Sequence, residues 1–280
     1  MAVAEIAQTR RTSGAVALVG LLAAAIFINY IDRGNLATAA PLIKDEFRLS
    51  NFQIGVMTSA FFWIYTPSQL LAGWLADRLN PYRALALGFA VWSAATALTG
   101  FAGGFGAFLA LRLVLGLGES AAFPCMSKLL ARHVPPASLG FANGFVVAGV
   151  SFGPAVGTLL GGLLIVQFGW RAMFVVFGLA ALLWLWPWLL NAKAVPVEIR
   201  AHDEAPLPSF FKLLSLRSMW GAMVGHFASN YGLYFILSWL PLYLVKERGF
   251  SIVQMSELGA MIYCTAGTSS IVTGWLADRW

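Results

Sequence analysis

The sequence has little charge, little cysteine and little histidine, and each shortage excludes a class of protein. Only 11% of its 280 residues are charged, less than half of the roughly 25% that is usual in soluble domains. So few charges can neither coat a water-facing surface nor keep a chain disordered. Two cysteines exclude a disulfide scaffold. Three histidines without a ligand-like pair, and the lack of a glycine-rich phosphate loop, argue against an enzyme.

Hydrophobic residues take the place of the missing charges. They make up 59% of the chain, and the mean hydropathy is +0.76, which indicates an all-α polytopic membrane protein. A membrane helix needs about 20 apolar residues, and the apolar runs lack the alternation of barrel strands. Eight runs predict spans near 14–38, 52–75, 83–102, 105–127, 138–166, 170–191, 219–244 and 253–275.

Lysine and arginine are divided unevenly between the loops that join these spans. If the N-terminus is cytoplasmic, the loops on its side hold eleven of these residues and the opposite loops hold five. Basic residues concentrate in cytoplasmic loops, so the division predicts a cytoplasmic N-terminus. It also accounts for the net charge of +6 without a nucleic-acid partner.

A repeated hexapeptide divides the chain into two related parts. Residues 73–78 read Gly-Trp-Leu-Ala-Asp-Arg, and the same six residues recur 201 positions later, at 274–279. Both copies follow an even-numbered span on the same predicted side of the membrane, which is typical of two related six-helix halves. We therefore assign 1–191 to an N-terminal six-helix bundle, 192–217 to a cytoplasmic linker, and 218–280 to the first two helices of a second bundle.

The repeated loop resembles the loop signature of the major facilitator superfamily. Its first copy continues to Arg83, with Asn80 where that family usually has glycine. Within the superfamily, the run from Asn29 to Arg33 (Asn-Tyr-Ile-Asp-Arg) and the run from Arg112 to Pro124 are similar to the anion:cation symporter group. That group contains bacterial carriers for sugar acids such as hexuronates and galactonate, and for aromatic acids such as phthalate. The resemblance implies a twelve-span fold, so we expect the second half to be truncated after the eighth helix.

Four charged side chains lie well inside predicted spans: Asp32, Arg33, Arg112 and Glu119. A charge near the bilayer centre costs at least ~2.5–3.5 kcal/mol, so these side chains are expected to face a bundle interior or an aqueous cavity. Arg112 and Glu119 share one helix face because they are seven residues apart. Asp32 and Arg33 are adjacent and point about 100° apart, which favours different partners. An inert buried ion network that aligns the helices is the alternative to a functional site.

The same four charges predict how an anion is bound. They cancel when all are ionised, and protonation of both carboxylates leaves two guanidiniums that attract an organic anion. The resemblance implies matching roles, in which Asp32 and Glu119 carry protons and Arg33 contacts the acid group of the substrate. Arg112 then pairs with Glu119 or with the substrate. No cofactor is expected, since the proton serves as the coupling ion.

Polar side chains on neighbouring spans are assigned to the lining of the cavity. Tyr30 precedes Asp32, Tyr65 lies in the second span, and Asn230 and Tyr234 lie one helical turn apart in the seventh. Such groups suit hydroxyl-rich or aromatic acids. Their alternative role is ordinary hydrogen bonding between helices.

Two further sets of residues are assigned to motion. The fifth span carries a smooth face of four glycines at every fourth position, along which helices either slide or pack statically: Gly149, Gly153, Gly157 and Gly161. The resemblance implies that the loop after the second span is a conformational latch on the cytoplasmic face. Its residues are Gly73, Asp77, Arg78 and Arg83.

The sequence therefore predicts a secondary active transporter and not an enzyme. The expected activity is proton-coupled symport of an organic or sugar-acid anion by alternating access across a bacterial inner membrane. We expect a multi-pass monomer whose partners are the anion, protons and the lipid bilayer. The alternatives are an efflux or antiport carrier of the same fold and a non-transporting membrane receptor or scaffold.

Overall fold

A computed structural model describes residues 2–78, 80–192, 212 and 214–277, and every regular element in this part of the chain is an α-helix. Most of the predicted linker at 192–217 lies outside the described residues. The helices, in chain order, are α1 (Ala2–Glu46), α2 (Asn51–Arg78), α3 (Pro81–Thr99), α4 (Phe105–Glu119), α5 (Ala122–His133), α6 (Pro136–Val147), α7 (Gly149–Leu182), α8 (Leu185–Ala192), α9 (Arg217–Lys246) and α10 (Ile252–Ala277).

These helices form eight rods that correspond to the eight predicted spans, because some rods are broken locally. The helix breaks between α4 and α5 because, in a continuous helix, the ring of Pro124 would collide with the carbonyl of Ser120, four residues before it. Pro187 breaks the sixth rod at Leu183 in the same way. Within α7 the fifth rod ends at Gly169, whose φ of 83° lies in the left-handed region that favours glycine.

Three stretches of the described helices are long and apolar enough to cross a membrane by length and composition. They are Gly14–Glu46, Phe105–His133 and Ser138–Asn191, which cover the predicted spans one, four, five and six. The other four rods carry polar and aromatic side chains that lower their hydropathy, such as Gln69 in α2 and Asn230 in α9. These polar groups mark helices that have an interior face as well as a lipid face.

Glycines allow α7 to pack against α1 at backbone distance. A Cβ on Gly149 would lie 2.8 Å from the Phe27 nitrogen, and one on Gly153 would lie 2.6 Å from the Phe27 carbonyl oxygen. Gly157 continues the contact at Ile31. Gly161, the fourth member of the glycine face, instead approaches Met173 on the sixth rod. Small residues therefore hold the fifth rod against the first rod, which carries one side of the candidate site.

The spacing of 201 residues that separates the two hexapeptides also relates the local structure of the two parts. At the start of α2, Ser50 and Gln53 form a capping box, in which the Gln53 nitrogen donates to Ser50 Oγ at 3.2 Å. Ser251 and Gln254 form the same box at the start of α10, also at 3.2 Å. A residue with positive φ precedes each box, Arg48 in the first part and Gly249 in the second. The repeat is thus structural and extends over the turn between two helices.

Two side-chain contacts join residues that are equivalent in this repeat. Lys246 in α9 forms an ion pair with Asp45 in α1, and the two positions are 201 residues apart. Arg33 Nη1 donates a hydrogen bond to Tyr234 Oη across the same spacing. In a pair of units related by a two-fold axis, only residues close to the axis contact their own equivalents. Asp45 and Arg33 therefore mark a pseudo-two-fold axis between α1 and α9.

We predict that a methyl group at Gly178 disrupts the contact between α7 and α3. A Cβ at this position would lie 2.3 Å from the Ala97 nitrogen and 2.6 Å from the Ser93 carbonyl oxygen, both backbone atoms that cannot move aside independently. Gly178→Ala should lower the free energy of unfolding by ~1–3 kcal/mol, measured by thermal unfolding in detergent. Gly20→Ala is the matched control because a Cβ there meets no atom within 4 Å. Equal stability of the two variants would contradict the packing described here.

Candidate functional site

A buried cluster of four charges lies where α1 meets α4. Asp32 and Arg33 from α1 are 2% and 7% exposed, and Arg112 and Glu119 from α4 are 7% and 0% exposed. All four residues predicted from the sequence are therefore gathered in one place and kept from solvent. Two acids and two guanidiniums give the cluster a net charge of zero when all are ionised, which lowers the cost of their burial.

Arg33 is the centre of this cluster. Its Nε donates to Glu119 Oε2 at 3.0 Å, and its Nη1 donates to the hydroxyl of Tyr234 in α9. The resemblance implied that Arg112 pairs with Glu119 or with the substrate, and in the structure it is Arg33, on the neighbouring helix, that forms the ion pair with Glu119. Arg33 thus joins three helices, and Tyr234 reaches it from the second part of the chain.

Asp32 has a separate environment from Arg33, as the angle between adjacent helical residues predicts. Asn35 Nδ2 donates to Asp32 Oδ1 at 3.0 Å, and Thr96 of α3 lies beside the carboxylate. Asp32 Oδ2 has no hydrogen-bond partner among the described residues. The two carboxylates of the cluster are therefore not equivalent, because Glu119 accepts its hydrogen bond from a cation and Asp32 accepts its hydrogen bond from a neutral amide.

Aromatic rings surround the two guanidiniums. The Arg33 Cζ atom lies 4.7 Å from the ring centroid of Tyr30 and 4.5 Å from that of Tyr65. Phe61 is shared, since its centroid is 5.1 Å from Arg33 Cζ and 5.3 Å from Arg112 Cζ. Cation–π attraction at desolvated sites of this kind contributes up to ~2 kcal/mol. Tyr30 and Tyr65, which the sequence assigned to the cavity, accordingly stack on the arginine.

A small cavity opens beside the charge cluster. Arg33 Nη2 and Arg112 Nε are buried donors without a hydrogen-bond partner among the described residues, and both arginines line this cavity. An acceptor with two oxygens suits a pair of guanidinium groups. The residues lining the cavity are Arg33, Leu36, Ala37, Thr58, Phe61, Phe62, Arg112, Tyr234, Leu237 and Ser238. The arrangement is able to bind a small anion between two arginines and an apolar wall.

Sequence reasoning missed part of this lining and assigned to it three residues that do not line it, namely Tyr30, Tyr65 and Asn230. Thr58, Phe61 and Phe62 were not predicted, although Phe61 precedes Tyr65 by one helical turn and so shares its face. Asn230 is not among the cavity-lining residues, because it lies one turn outside Tyr234 and bonds His226 at 2.8 Å.

The latch loop is described in part. Arg78 lies 4.2 Å from the Trp74 ring centroid, Arg83 is exposed, and a Cβ on Gly73 would meet no atom within 4 Å. The side chain of Asp77 and the last residues of the second hexapeptide lie outside the described residues. Asn80, which departs from the usual glycine, caps α3 by accepting from the Tyr82 nitrogen at 2.9 Å.

We predict that the Arg33–Glu119 pair is non-additive in stability. Arg33→Met leaves the cluster with a charge of −1 and Glu119→Leu leaves it with +1, whereas the double variant keeps only Asp32 and Arg112, which cancel. Loss of one partner of a buried pair costs ~3–5 kcal/mol. The double variant should therefore unfold at a higher temperature than either single variant in detergent. Additive destabilisation would contradict the proposed pairing.

Comparison with known proteins assigns the chain to a family. The model of the Major Facilitator Superfamily matches residues 22–280. A probable sulfoacetate transporter of Cupriavidus necator is 32% identical over 94% of this chain and 64% of its own length. The hexuronate transporter of Bacillus subtilis is 29% identical over 90% of this chain and 61% of its own. A sodium-dependent phosphate transport protein of Arabidopsis thaliana chloroplasts is 30% identical over 93% and 54%.

Solved structures agree on the fold. A bacterial homologue of the human lysosomal transporter Spinster, in an inward-facing and unoccupied conformation, superposes with a TM-score of 0.83 at 22% identity. The match covers 95% of this chain and 63% of the homologue, so the chain spans between about half and two thirds of the length of these proteins. With a family model matching nearly its whole length, the chain belongs to the Major Facilitator Superfamily.

Proposed function

We propose that the protein is a secondary active transporter that carries a small organic anion together with protons. The observation that supports this most directly is a pair of arginines, Arg33 and Arg112, that line one cavity and carry buried donors, Nη2 and Nε, without a hydrogen-bond partner among the described residues. Buried donors of this kind cost free energy unless an acceptor satisfies them. A carboxylate or another oxyanion in the cavity supplies that acceptor.

The charge balance of the cluster supports coupling to protons. Glu119 neutralises Arg33 directly, and Asp32 adds a second negative charge that is hydrogen-bonded to the neutral amide of Asn35. Addition of one proton to either carboxylate leaves the cluster with a net charge of +1, which a monovalent anion then cancels. The empty and the doubly loaded states are both neutral, so both cross the membrane interior at lower cost than a half-loaded state. This balance favours transport of one anion with at least one proton.

The relatives agree on an anionic substrate. Three of them are named as carriers of sulfoacetate, hexuronate and phosphate, which differ in shape but share negative oxygens. The cavity is lined by the two arginines together with hydroxyl and apolar groups from Thr58, Ser238 and Leu237. A short organic acid matches this lining better than a long lipid-like acid.

We propose that 1–191 is one half of the carrier, that 218–280 is the start of the other half, and that 192–217 joins them for alternating access. α9 contacts α1 at the Asp45–Lys246 pair and at the Arg33–Tyr234 hydrogen bond. From the distribution of basic residues we infer a cytoplasmic N-terminus and a bacterial inner membrane with the ion pair on its outer side. The two parts therefore meet at the charge cluster and on the outer side of it, and we propose that the site opens inward in a monomeric carrier.

Uptake into proteoliposomes tests the proposal. With a proton gradient directed inward, the protein should accumulate a labelled anion such as glucuronate or sulfoacetate above its external concentration. Asp32→Asn combined with Glu119→Gln should abolish this accumulation but retain exchange of labelled for unlabelled anion, because exchange needs no net proton movement. The matched control is Glu247→Gln, which removes an exposed carboxylate outside the cluster.

The same assay separates the alternatives. An efflux or antiport carrier accumulates the anion only when the proton gradient has the opposite direction. A receptor or scaffold binds the anion without exchange. Unchanged accumulation by the double variant would contradict proton coupling through Asp32 and Glu119.

A further inference from the structure

Phe61 is the one ring in the described part of the chain that contacts both arginines of the cluster. We propose that Phe61 is a positioning residue, which holds the guanidiniums of Arg33 and Arg112 together so that one anion can bind both. The inference rests on the proposed function, because it names a determinant of anion affinity at the same site. It goes further in assigning this role to an apolar side chain with no donor or acceptor of its own.

The positions of the three side chains define the contact. The ring centroid of Phe61 lies 5.1 Å from Arg33 Cζ and 5.3 Å from Arg112 Cζ, within the ~6 Å range of cation–π attraction. Phe61 is 2% exposed, so water screens little of this attraction. Its own ring is fixed by stacking on Tyr65, at 4.8 Å between centroids and 24° between planes.

The backbone of α2 holds the ring in register with α4. Gly116 lies one turn after Arg112 and almost one turn before Glu119, and a Cβ on it would be 2.5 Å from the Phe61 carbonyl oxygen. The same Cβ would be 3.3 Å from the Tyr65 nitrogen. Helices that touch at backbone distance leave little freedom for relative sliding. The ring of Phe61 therefore has a fixed position relative to the base of the Arg112 side chain.

Two guanidiniums that share a small site repel each other, and the acids compensate this repulsion unequally. Glu119 makes its hydrogen bond to Arg33, and Arg112 Nε has no hydrogen-bond partner among the described residues. The negative face of an aromatic ring attracts both cations without satisfying their N–H groups. Phe61 can thus hold the arginines close while leaving Arg33 Nη2 and Arg112 Nε available to an anion. Arginine side chains that are already held in place lose less conformational freedom when the anion binds.

The neighbouring Phe62 provides a matched comparison. It packs edge-on against Tyr234 at 4.9 Å and lines the same cavity, and no cation–π contact is described for it. Both rings are therefore part of one apolar wall, but only Phe61 contacts the guanidiniums. If the wall acts by shape and hydrophobicity alone, the two positions should respond alike to a change in ring electrostatics.

Fluorination of the ring tests the inference, because each fluorine weakens the negative face while nearly preserving shape. Phenylalanine with zero, one, two or three fluorines is incorporated at position 61 and, in parallel, at position 62. Affinity for glucuronate and for sulfoacetate is measured by binding to the purified protein, together with the maximal rate of anion exchange. At position 61 affinity should fall stepwise, reaching a loss of roughly 2- to 30-fold with three fluorines. At position 61 the fold-loss in affinity should exceed any fold-change in the maximal exchange rate, and the loss of affinity at position 62 should be smaller at each step.

Each possible result has a distinct meaning. A flat series at position 61, or an affinity that rises with fluorine, would overturn the positioning role while the wild-type protein still binds and exchanges anions. Equal losses at both positions would overturn it as well, because they indicate a general effect on the wall. Failure of the wild-type protein to bind any of the anions would instead overturn the proposed function. Phe61→Tyr, which keeps the aromatic face, should retain affinity, whereas Phe61→Leu should lose it.

Discussion

The constraint on which the rest of the structure depends is the neutralisation of charge inside an apolar bundle. Arg33 cannot lose its proton in a protein, so its buried guanidinium needs a negative partner and acceptors at every conformational stage. Glu119 provides the first at 3.0 Å, Tyr234 provides an acceptor from the second part of the chain, and the rings of Tyr30 and Tyr65 cover its faces. Helices α1, α2, α4 and α9 are thereby required to meet at one point. Under the proposed function, an anion in the cavity neutralises an arginine whose charge a protonated carboxylate no longer balances, so the core stays neutral.

The eight rods and the location of the buried charges could be predicted from the sequence, since both follow from local properties. A run of about 20 apolar residues is helical in a membrane because the backbone has no other way to satisfy its hydrogen bonds, and a charge inside such a run must face inward. The pairing within the cluster could not be predicted in this way. Spacing along α4 predicts only that Arg112 and Glu119 share a face, but the direction of Arg33 across the gap between helices decides which cation bonds Glu119. The role of Phe61 could not be predicted, because a phenylalanine in an apolar span is like any other apolar residue until the positions of the two arginines are known.

The repeat of 201 residues brings equivalent positions of the two related parts into contact with each other. In a dimer of identical chains, an aspartate on the two-fold axis faces another aspartate, and the two repel. Here the equivalent of Asp45 is Lys246, and the equivalent of Arg33 is Tyr234, so both contacts on the pseudo-axis join complementary groups. The capping boxes at Ser50 and Ser251 remain the same because each lies within its own half and meets no equivalent. At both positions on the pseudo-axis the two parts differ, so complementary groups meet where the symmetry would otherwise bring like groups together.

The two contacts on the pseudo-axis differ in burial, and under the proposed function this difference separates their roles. The Asp45–Lys246 pair has side chains that are 63% and 27% exposed, and ion pairs in such surroundings contribute little to stability. A contact of this kind can open and close repeatedly, whereas a strong one would hold the carrier in a single state. The Arg33–Tyr234 contact is buried and belongs to the anion site itself. An anion that competes with Tyr234 for Arg33 alters a contact between the halves at the moment it binds, so occupancy of the site and the relative position of the halves are linked through one guanidinium.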